Sequence, residues 1–161
     1  MKILVVSDTH RKDDNLKQVL SEECPLDMLI HLGDAEGSEQ FIPDWVNPEC
    51  RMEMVLGNND FFSRLDRERE IDIAGHKAFI THGHYYGVSM GPEGLADEAK
   101  SRGCDIAMYG HTHRPFLDVI DGVTVLNPGS LSYPRQEGRR PSYMIINVGA
   151  DGKLDYQQKY L

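Results

Sequence analysis

The sequence predicts an α/β protein in which two β-sheets face each other and helices cover the outside. Three observations lead there. The first third of the chain reads as strand, helix, strand and strand, which makes a mainly parallel sheet joined by a crossover. Two later segments each read as a pair of strands around a glycine-containing turn, the pattern of antiparallel hairpins. Between those hairpins, a helical stretch runs into a short, buried apolar strand.

Taken in order, KILVV at 2–6 is apolar, β-branched and bounded by turn residues, which suits a strand buried on both faces. Leu16, Val19 and Leu20 within DNLKQVLSE (14–22) fall at helical spacing, with Asp13 or Asp14 as the N-cap. DMLIHL (27–32) and RMEMVL (51–56) read as the second and third strands. EIDIAGHKAFIT (70–81) and FLDVIDGVTVL (116–126) are the two hairpins, turning at AG and DG. PEGLADEAKSRG (92–103) is helical and stops at Gly103, and DIAMYG (105–110) is a further buried strand. SYMIINV, GADG and KLDYQQKY close the chain as a last hairpin. No repeat, low-complexity tract or linker interrupts residues 1–161, so they are read as a single domain.

Hydrophobic residues are 40% and charged residues 27%, ordinary for a soluble globular protein. The longest apolar runs, such as ILVV at 3–6, fall far short of the ~20 residues a membrane span needs, so no membrane partner is expected. The apolar part of MKILVVSD is likewise too short for a secretory segment of about 7–15 residues. Cys24, Cys50 and Cys104 are odd in number and form no CxxC, which suits thiols in a reducing compartment; a cytoplasmic location is the expectation. A formal charge of −9 argues against binding long nucleic acid, which needs clustered Lys and Arg. The densest basic stretches, RLDRER (64–69) and GRR (138–140), are short, and the first is interleaved with acid. For an anionic substrate, bound metal ions are then the obvious source of local positive charge.

Five strand-like runs end in turns that carry Asp, Asn or His: KILVV into SDTH, LIHL into GD, MVL into GNND, AFI into THGH, and AMY into GHTH. In open α/β sheets, functional groups gather beyond the carboxyl ends of the strands. One such ending is ordinary turn chemistry. Five together, holding five of the seven histidines, point to a site. Asp8, Asp34 and Asn58 offer oxygen, and His10, His82, His111 and His113 offer imidazole nitrogen. A mixed nitrogen and oxygen set suits borderline and hard divalent ions, while the lack of thiolate argues against a Cys-rich structural zinc site. Seven ligands exceed the needs of one four- to six-coordinate ion and suffice for two if one carboxylate is shared. The spacings Asp8-x-His10 and His111-x-His113 let both side chains of a pair lean to one side of an extended segment.

In this order D-x-H, GD, GN, H-G-H and G-H-x-H resemble the calcineurin-like metallophosphoesterases. The short length, the SDTH opening and NPGS at 127–130 resemble their small YfcE-type phosphodiesterase branch and the retromer coat subunit built on the same fold. The resemblance runs from Ile3 to about Arg135. It implies a four-layer α/β/β/α sandwich of two mixed β-sheets flanked by helices. It also implies a metal-dependent phosphodiesterase that hydrolyses a small phosphoester with a water activated by two metals. By the same resemblance, Asp8, His10, Asp34 and His113 hold one ion, and Asp34, Asn58, His82 and His111 the other, with Asp34 shared. Mn2+ is the first expectation for the two divalent ions, with Fe2+, Zn2+, Ni2+ and Mg2+ open. The alternative, by analogy with the retromer subunit, is a non-catalytic scaffold that binds a partner protein.

Position 59 departs from the family pattern. Many members carry a histidine there that helps protonate the leaving group, whereas the Asn59 amide does not titrate. Asn59 can still donate a hydrogen bond to a phosphoryl oxygen. It and His84, two residues past His82, are the catalytic candidates; for His84 a supporting or exposed position is the alternative. Arg11 and Arg135 are candidates for phosphate binding, with a solvated surface position as the alternative. Asp60 is read as capping or orienting its neighbours, and Asn127 as supporting the ligands. His31 is read as a hydrogen-bonded core or interface residue, and His76 as solvated. The physiological substrate and homo-oligomerisation are left open.

Overall fold

In the computed structural model, which describes residues 1–161, alternation along the first strand sets the layering. In β1 (Lys2–Val6), Ile3 and Val5 enter one apolar cluster while Leu4 and Val6 enter another. The chain continues through α1 (Asp14–Glu23), β2 (Met28–His31), two short 3-10 turns (Ser38–Gln40 and Ile42–Trp45), β3 (Arg51–Met54), β4 (Glu68–Ile73) and β5 (His76–Thr81). A 3-10 turn at His84–Tyr86 precedes α2 (Glu93–Ser101), β6 (Ile106–Met108), β7 (Pro115–Ile120), β8 (Val123–Pro128), β9 (Ser142–Val148) and β10 (Leu154–Tyr160).

Two mixed five-stranded sheets result. The first has the order β10-β9-β1-β2-β3 and the second β4-β5-β6-β8-β7. In the first, β1, β2 and β3 are parallel, with Ile3 opposite Met28 and Met28 opposite Arg51, and the closing hairpin adds β9 and β10 antiparallel. In the second, β5, β6 and β8 are parallel, and β4 and β7 flank them as antiparallel hairpin partners. Ile3, Val5, Ile30, Ile73, Ile80, Met108 and Ile146 fill the space between the sheets. Leu4, Leu29 and Ile145 face Leu16, Val19 and Leu20 of α1. Phe79, Ala107 and Val125 face Leu95, Ala96 and Ala99 of α2. Three apolar interfaces separate four layers, the α/β/β/α sandwich that the motif resemblance implies. No helix is long and apolar enough to cross a membrane.

Local departures from the sequence reading have local causes. Asp13 occupies the N-cap position of α1 but makes no capping hydrogen bond, because its backbone is already helical (φ −90°, ψ −3°). Its carboxylate accepts from Ser38 Oγ at 2.6 Å instead. The third strand stops at Met54, and the Leu56 N–H donates to the Asp66 carbonyl in a loop. His31 is a core residue as expected, fully buried with Nε2 3.0 Å from Thr9 Oγ1. His76 is tied at the surface to Asp105, with Nδ1 2.7 Å from the carboxylate. The three cysteines are free thiols, and Cys50 and Cys104 are buried.

One buried acid ties α1 to the first sheet. Glu23 accepts from Lys2 Nζ at 2.6 Å, from Tyr143 Oη at 3.0 Å and from Lys159 Nζ. Burial alone would raise its carboxyl, but Lys159, Lys2 and Tyr143 lower it to about 2. A depressed folded-state value means the stabilisation is complete above the ordinary glutamate range and is lost as pH falls towards 2. Glu23→Gln is therefore expected to destabilise the protein by on the order of 2–3 kcal/mol at neutral pH. The gap should narrow as the pH drops from ~4.5 to ~2. Urea unfolding of both proteins at pH 7 and pH 3 checks this; a gap independent of pH would remove Glu23 ionisation as the cause.

Candidate metal centre

All seven ligand candidates meet at one end of the two sheets, on the loops that follow β1, β2, β3, β5 and β6. Asp8 and His82 are fully buried, Asp34 and His113 nearly so, and Asn58 and His111 form the open rim. The pairs are not brought together by extended backbone, as alternation suggested. Asp8, His10, Asp34, His111 and His113 all have positive φ, between 48° and 65°. Five of the ten non-glycine residues in that region are thus candidate ligands, a concentration of backbone strain expected of a functional site. Backbone bonds hold these loops, with Asp8 N–H on the Gly33 carbonyl at 3.0 Å and His10 N–H on the Asp34 carbonyl at 2.9 Å.

Supporting groups fix the rest. The buried Asp60 accepts from the backbone N–H groups of Asp34 (2.8 Å), Gly57 (2.7 Å) and Glu36 (2.6 Å), locking the GD and GNND loops together, which bears out its orienting role. Asn127 donates to the Gly110 carbonyl at 2.8 Å and to Thr112 Oγ1 at 3.0 Å, steadying the GHTH loop. Ser130, the serine of NPGS, donates to the Asp8 carbonyl at 2.8 Å. Two glycines are required by close approach. A Cβ on Gly57 would lie 2.1 Å from Asp34 Oδ1, and one on Gly110 would lie 2.0 Å from Ser7 Oγ.

Carboxylate, amide and imidazole atoms face inward together. His82 Nδ1–H donates to the Leu32 carbonyl at 2.6 Å, His113 Nδ1–H to the Tyr133 carbonyl at 2.8 Å and His10 Nδ1–H to Glu36 Oε1 at 2.8 Å. With Nδ1 so engaged, each ring turns Nε2 into the site, where it offers a lone pair whenever the ring is neutral. The His10 and His113 Nε2 atoms are 3.2 Å apart, and Asp8 Oδ1 is 3.1 Å from the latter and 3.8 Å from the Nε2 atoms of His10 and His82. Asp8 Oδ1 is buried and accepts no hydrogen bond. Asp34 Oδ2 lies 3.4 Å from His82 Nε2 and 3.8 Å from His10 Nε2. Asn58 Oδ1 is 3.0 Å from His82 Nε2 and 3.0 Å from His111 Nδ1. Close-set imidazole nitrogens and carboxylate and amide oxygens of this kind form a donor set that fits divalent ions. Asp8, His10 and His113 form one compact group, and Asp8, Asp34 and His82 a second.

The electrostatics agree. Burial would raise both carboxyls, but His113 and His82 around Asp8, and His82 with Asn59 around Asp34, hold them below the usual carboxylate range. Burial opposes a charge on His82, yet Asp34, Asp8 and the Leu32 carbonyl raise it to about 9. The site attracts positive charge. On the rim, burial followed by repulsion from His82 lowers both His84 and His111.

The remaining candidates sit around this centre. Asn59 turns its side chain to the carboxylate, with Nδ2–H donating to Asp34 Oδ2 at 2.7 Å and its backbone N–H to Oδ1 at 2.8 Å. His84 lies beside the candidate ligands, its ring 5.4 Å from that of His82 and 5.9 Å from that of His111, and its buried Nδ1 has no partner. Arg135 lines a cavity of about 700 Å3 that also contains His10 and His113. Arg11 lines another, of about 350 Å3, with Asn59, Phe61 and Phe62. Sequence reading missed Glu36 and the Leu32 and Tyr133 carbonyls, which set the histidine tautomers. Glu36 stands two residues past Asp34 with no pattern to mark it, and a backbone carbonyl has no residue code.

Comparison with known proteins places this arrangement. Residues 1–151 match the family model of the calcineurin-like phosphoesterase superfamily domain. A probable metallophosphoesterase of Mycoplasma pneumoniae is 32% identical over 150 residues, covering 91% of this chain and 89% of that protein. The phosphodiesterase YfcE of Escherichia coli K12 is 27% identical over 171 residues, covering 91% of this chain and 88% of its own length. Vps29 from Entamoeba histolytica shares the fold, with a TM-score of 0.77 at 22% identity over 100% of this chain and 99% of that one.

Proposed function

The chain belongs to the calcineurin-like phosphoesterase superfamily, and on that premise we propose that it is a two-metal phosphodiesterase acting on small phosphate esters. The observation that supports this best is the cluster around Asp8 Oδ1, a buried carboxylate oxygen without a hydrogen-bond partner and with three imidazole Nε2 atoms within 3.8 Å. Asp8, His10, Asp34 and His113 would hold one ion, and Asp34, Asn58, His82 and His111 the other, Asp34 being shared. Two divalent ions, Mn2+ by preference, would polarise the phosphoryl oxygens and lower the pKa of the attacking water.

The chain's own residues do the rest. Leu32, Tyr133 and Glu36 hold the ligand rings in the tautomer that presents Nε2. Asn59 orients Asp34 with one amide hydrogen and keeps a second for a phosphoryl oxygen. His84 borders the site, and burial followed by repulsion from His82 lowers its pKa. With the non-titrating Asn59 amide at position 59, no proton for the leaving oxygen comes from there.

The test is hydrolysis of an aryl phosphodiester and the matching monoester after exhaustive chelation and after adding back Mn2+, Fe2+, Zn2+, Ni2+ or Mg2+. Loss on chelation, recovery with Mn2+ and preference for the diester are expected. Full activity in metal-free protein contradicts the mechanism. One observation favours a second reading, a non-catalytic protein-binding scaffold: Phe61 and Phe62, next to the site, are 79% and 100% exposed. Absence of hydrolysis under every metal would select that reading.

A further inference from the structure

Three arginines share one wall beside the metal centre. Arg114 directly follows the ligand His113, and the Arg135 N–H donates to the His113 carbonyl at 3.0 Å. Arg139, at φ 45°, is held in a turn by its N–H on the Gln136 carbonyl, which Gln136 reinforces through Nε2 on the Arg140 carbonyl at 2.6 Å. All three line the 700 Å3 cavity that His10, His113 and Tyr133 open onto, a volume suited to a small molecule. Lys12 adds positive charge at its edge, with Nζ 4.3 Å from the centre of the Tyr133 ring.

These guanidiniums have no partners. Eight of the 17 Lys and Arg side chains form ion pairs with carboxylates, and Arg114, Arg135 and Arg139 are not among them, although the chain has 26 acidic residues. The carboxylate on the cavity wall, Glu36, is committed to His10. In a protein of charge −9, three exposed, unpaired arginines on the wall of one cavity concentrate positive charge there. Guanidinium forks match the planar or tetrahedral oxygens of carboxylate and phosphate.

Building on the phosphodiesterase reading, we infer that the substrate is a phosphodiester one arm of which carries a second anionic group, phosphate or carboxylate, bound by Arg114, Arg135 and Arg139. The scissile phosphate sits at the metal ligands. The charged arm extends past His10 and His113 into the arginine-lined cavity, and Arg114 and Arg139 act as specificity-determining residues.

Three p-nitrophenyl phosphodiesters test this, their second arms being the same alkyl chain ended by methyl, carboxylate or phosphate. On the Mn2+-loaded protein the charged arms are expected to raise kcat/KM roughly 10–100-fold over the methyl arm, mainly through KM, since each charge-assisted hydrogen bond gives about tenfold. The preference should shrink as salt rises. In the doubly substituted R114Q/R139Q protein the ratio should collapse towards unity. The carboxylate and phosphate arms tell which anion is preferred. Equal rates for all three esters in the wild type, or an unchanged ratio in the double variant, would overturn the inference while leaving the phosphodiesterase reading in place. Failure of the loaded protein to hydrolyse any of the three would overturn both.

Discussion

Asp34→Asn is expected to lower phosphodiester hydrolysis by roughly 10³-fold or more and to reduce the metal content, because a catalytic ion contributes several kcal/mol to transition-state charge. Asp34 Oδ2 faces His82 Nε2 at 3.4 Å and His10 Nε2 at 3.8 Å, and in the proposed assignment this one carboxylate is shared by both ions. Asparagine keeps the size and removes the charge shared between them. The loop should survive, because Asp60 still accepts the backbone N–H of residue 34. His84→Ala, which removes no ligand, should lose far less. Steady-state rates with elemental analysis on both variants check this. Equal, mild losses would mean that the ligand assignment is wrong.

Asn59→His should change the leaving-group dependence rather than only the rate. With an amide at 59, activated aryl esters should turn over well and alkyl esters poorly. A positioned general acid contributes ~10²–10⁴-fold, so an imidazole that reaches the departing oxygen should favour poor leaving groups and flatten the slope. The substitution also deletes the Asn59 Nδ2–H bond to Asp34 Oδ2. Asn59→Ala isolates that loss and should lower rates for all esters while keeping the wild-type slope. If Asn59→His and Asn59→Ala share one slope at matched metal occupancy, position 59 does not reach the leaving oxygen. A shallow slope in the wild type would assign the protonation to another group, with His84 the nearest.

The convergence of the candidate ligands was legible because Asp, Asn and His are conspicuous after apolar runs such as KILVV and AMY, and parallel strands deliver their carboxyl ends to one place. The layering was legible for a similar reason, as alternate residues of β1 serve two interfaces. What the sequence hides is geometry set at long range. Asp8-x-His10 looks like an extended pair, yet both residues are left-handed, held by bonds to Gly33 and Asp34 that are distant in sequence. Glu36 gains meaning only through His10, and the Leu32 carbonyl only through His82, 50 residues away. Asn59, marked by the absence of an expected histidine, has a positioning bond to Asp34 that no spacing announces.

The central claim is that two ions, not one, make the active species. Metal-free protein titrated with Mn2+ under anaerobic conditions, with bound metal and aryl phosphodiester hydrolysis measured at each addition, tests it most directly. Binding should saturate at two ions per chain, with the rate following the doubly loaded fraction and Asp34→Asn failing to reach that stoichiometry. Full activity at one ion per chain, or in protein from which metal has been removed, would contradict it.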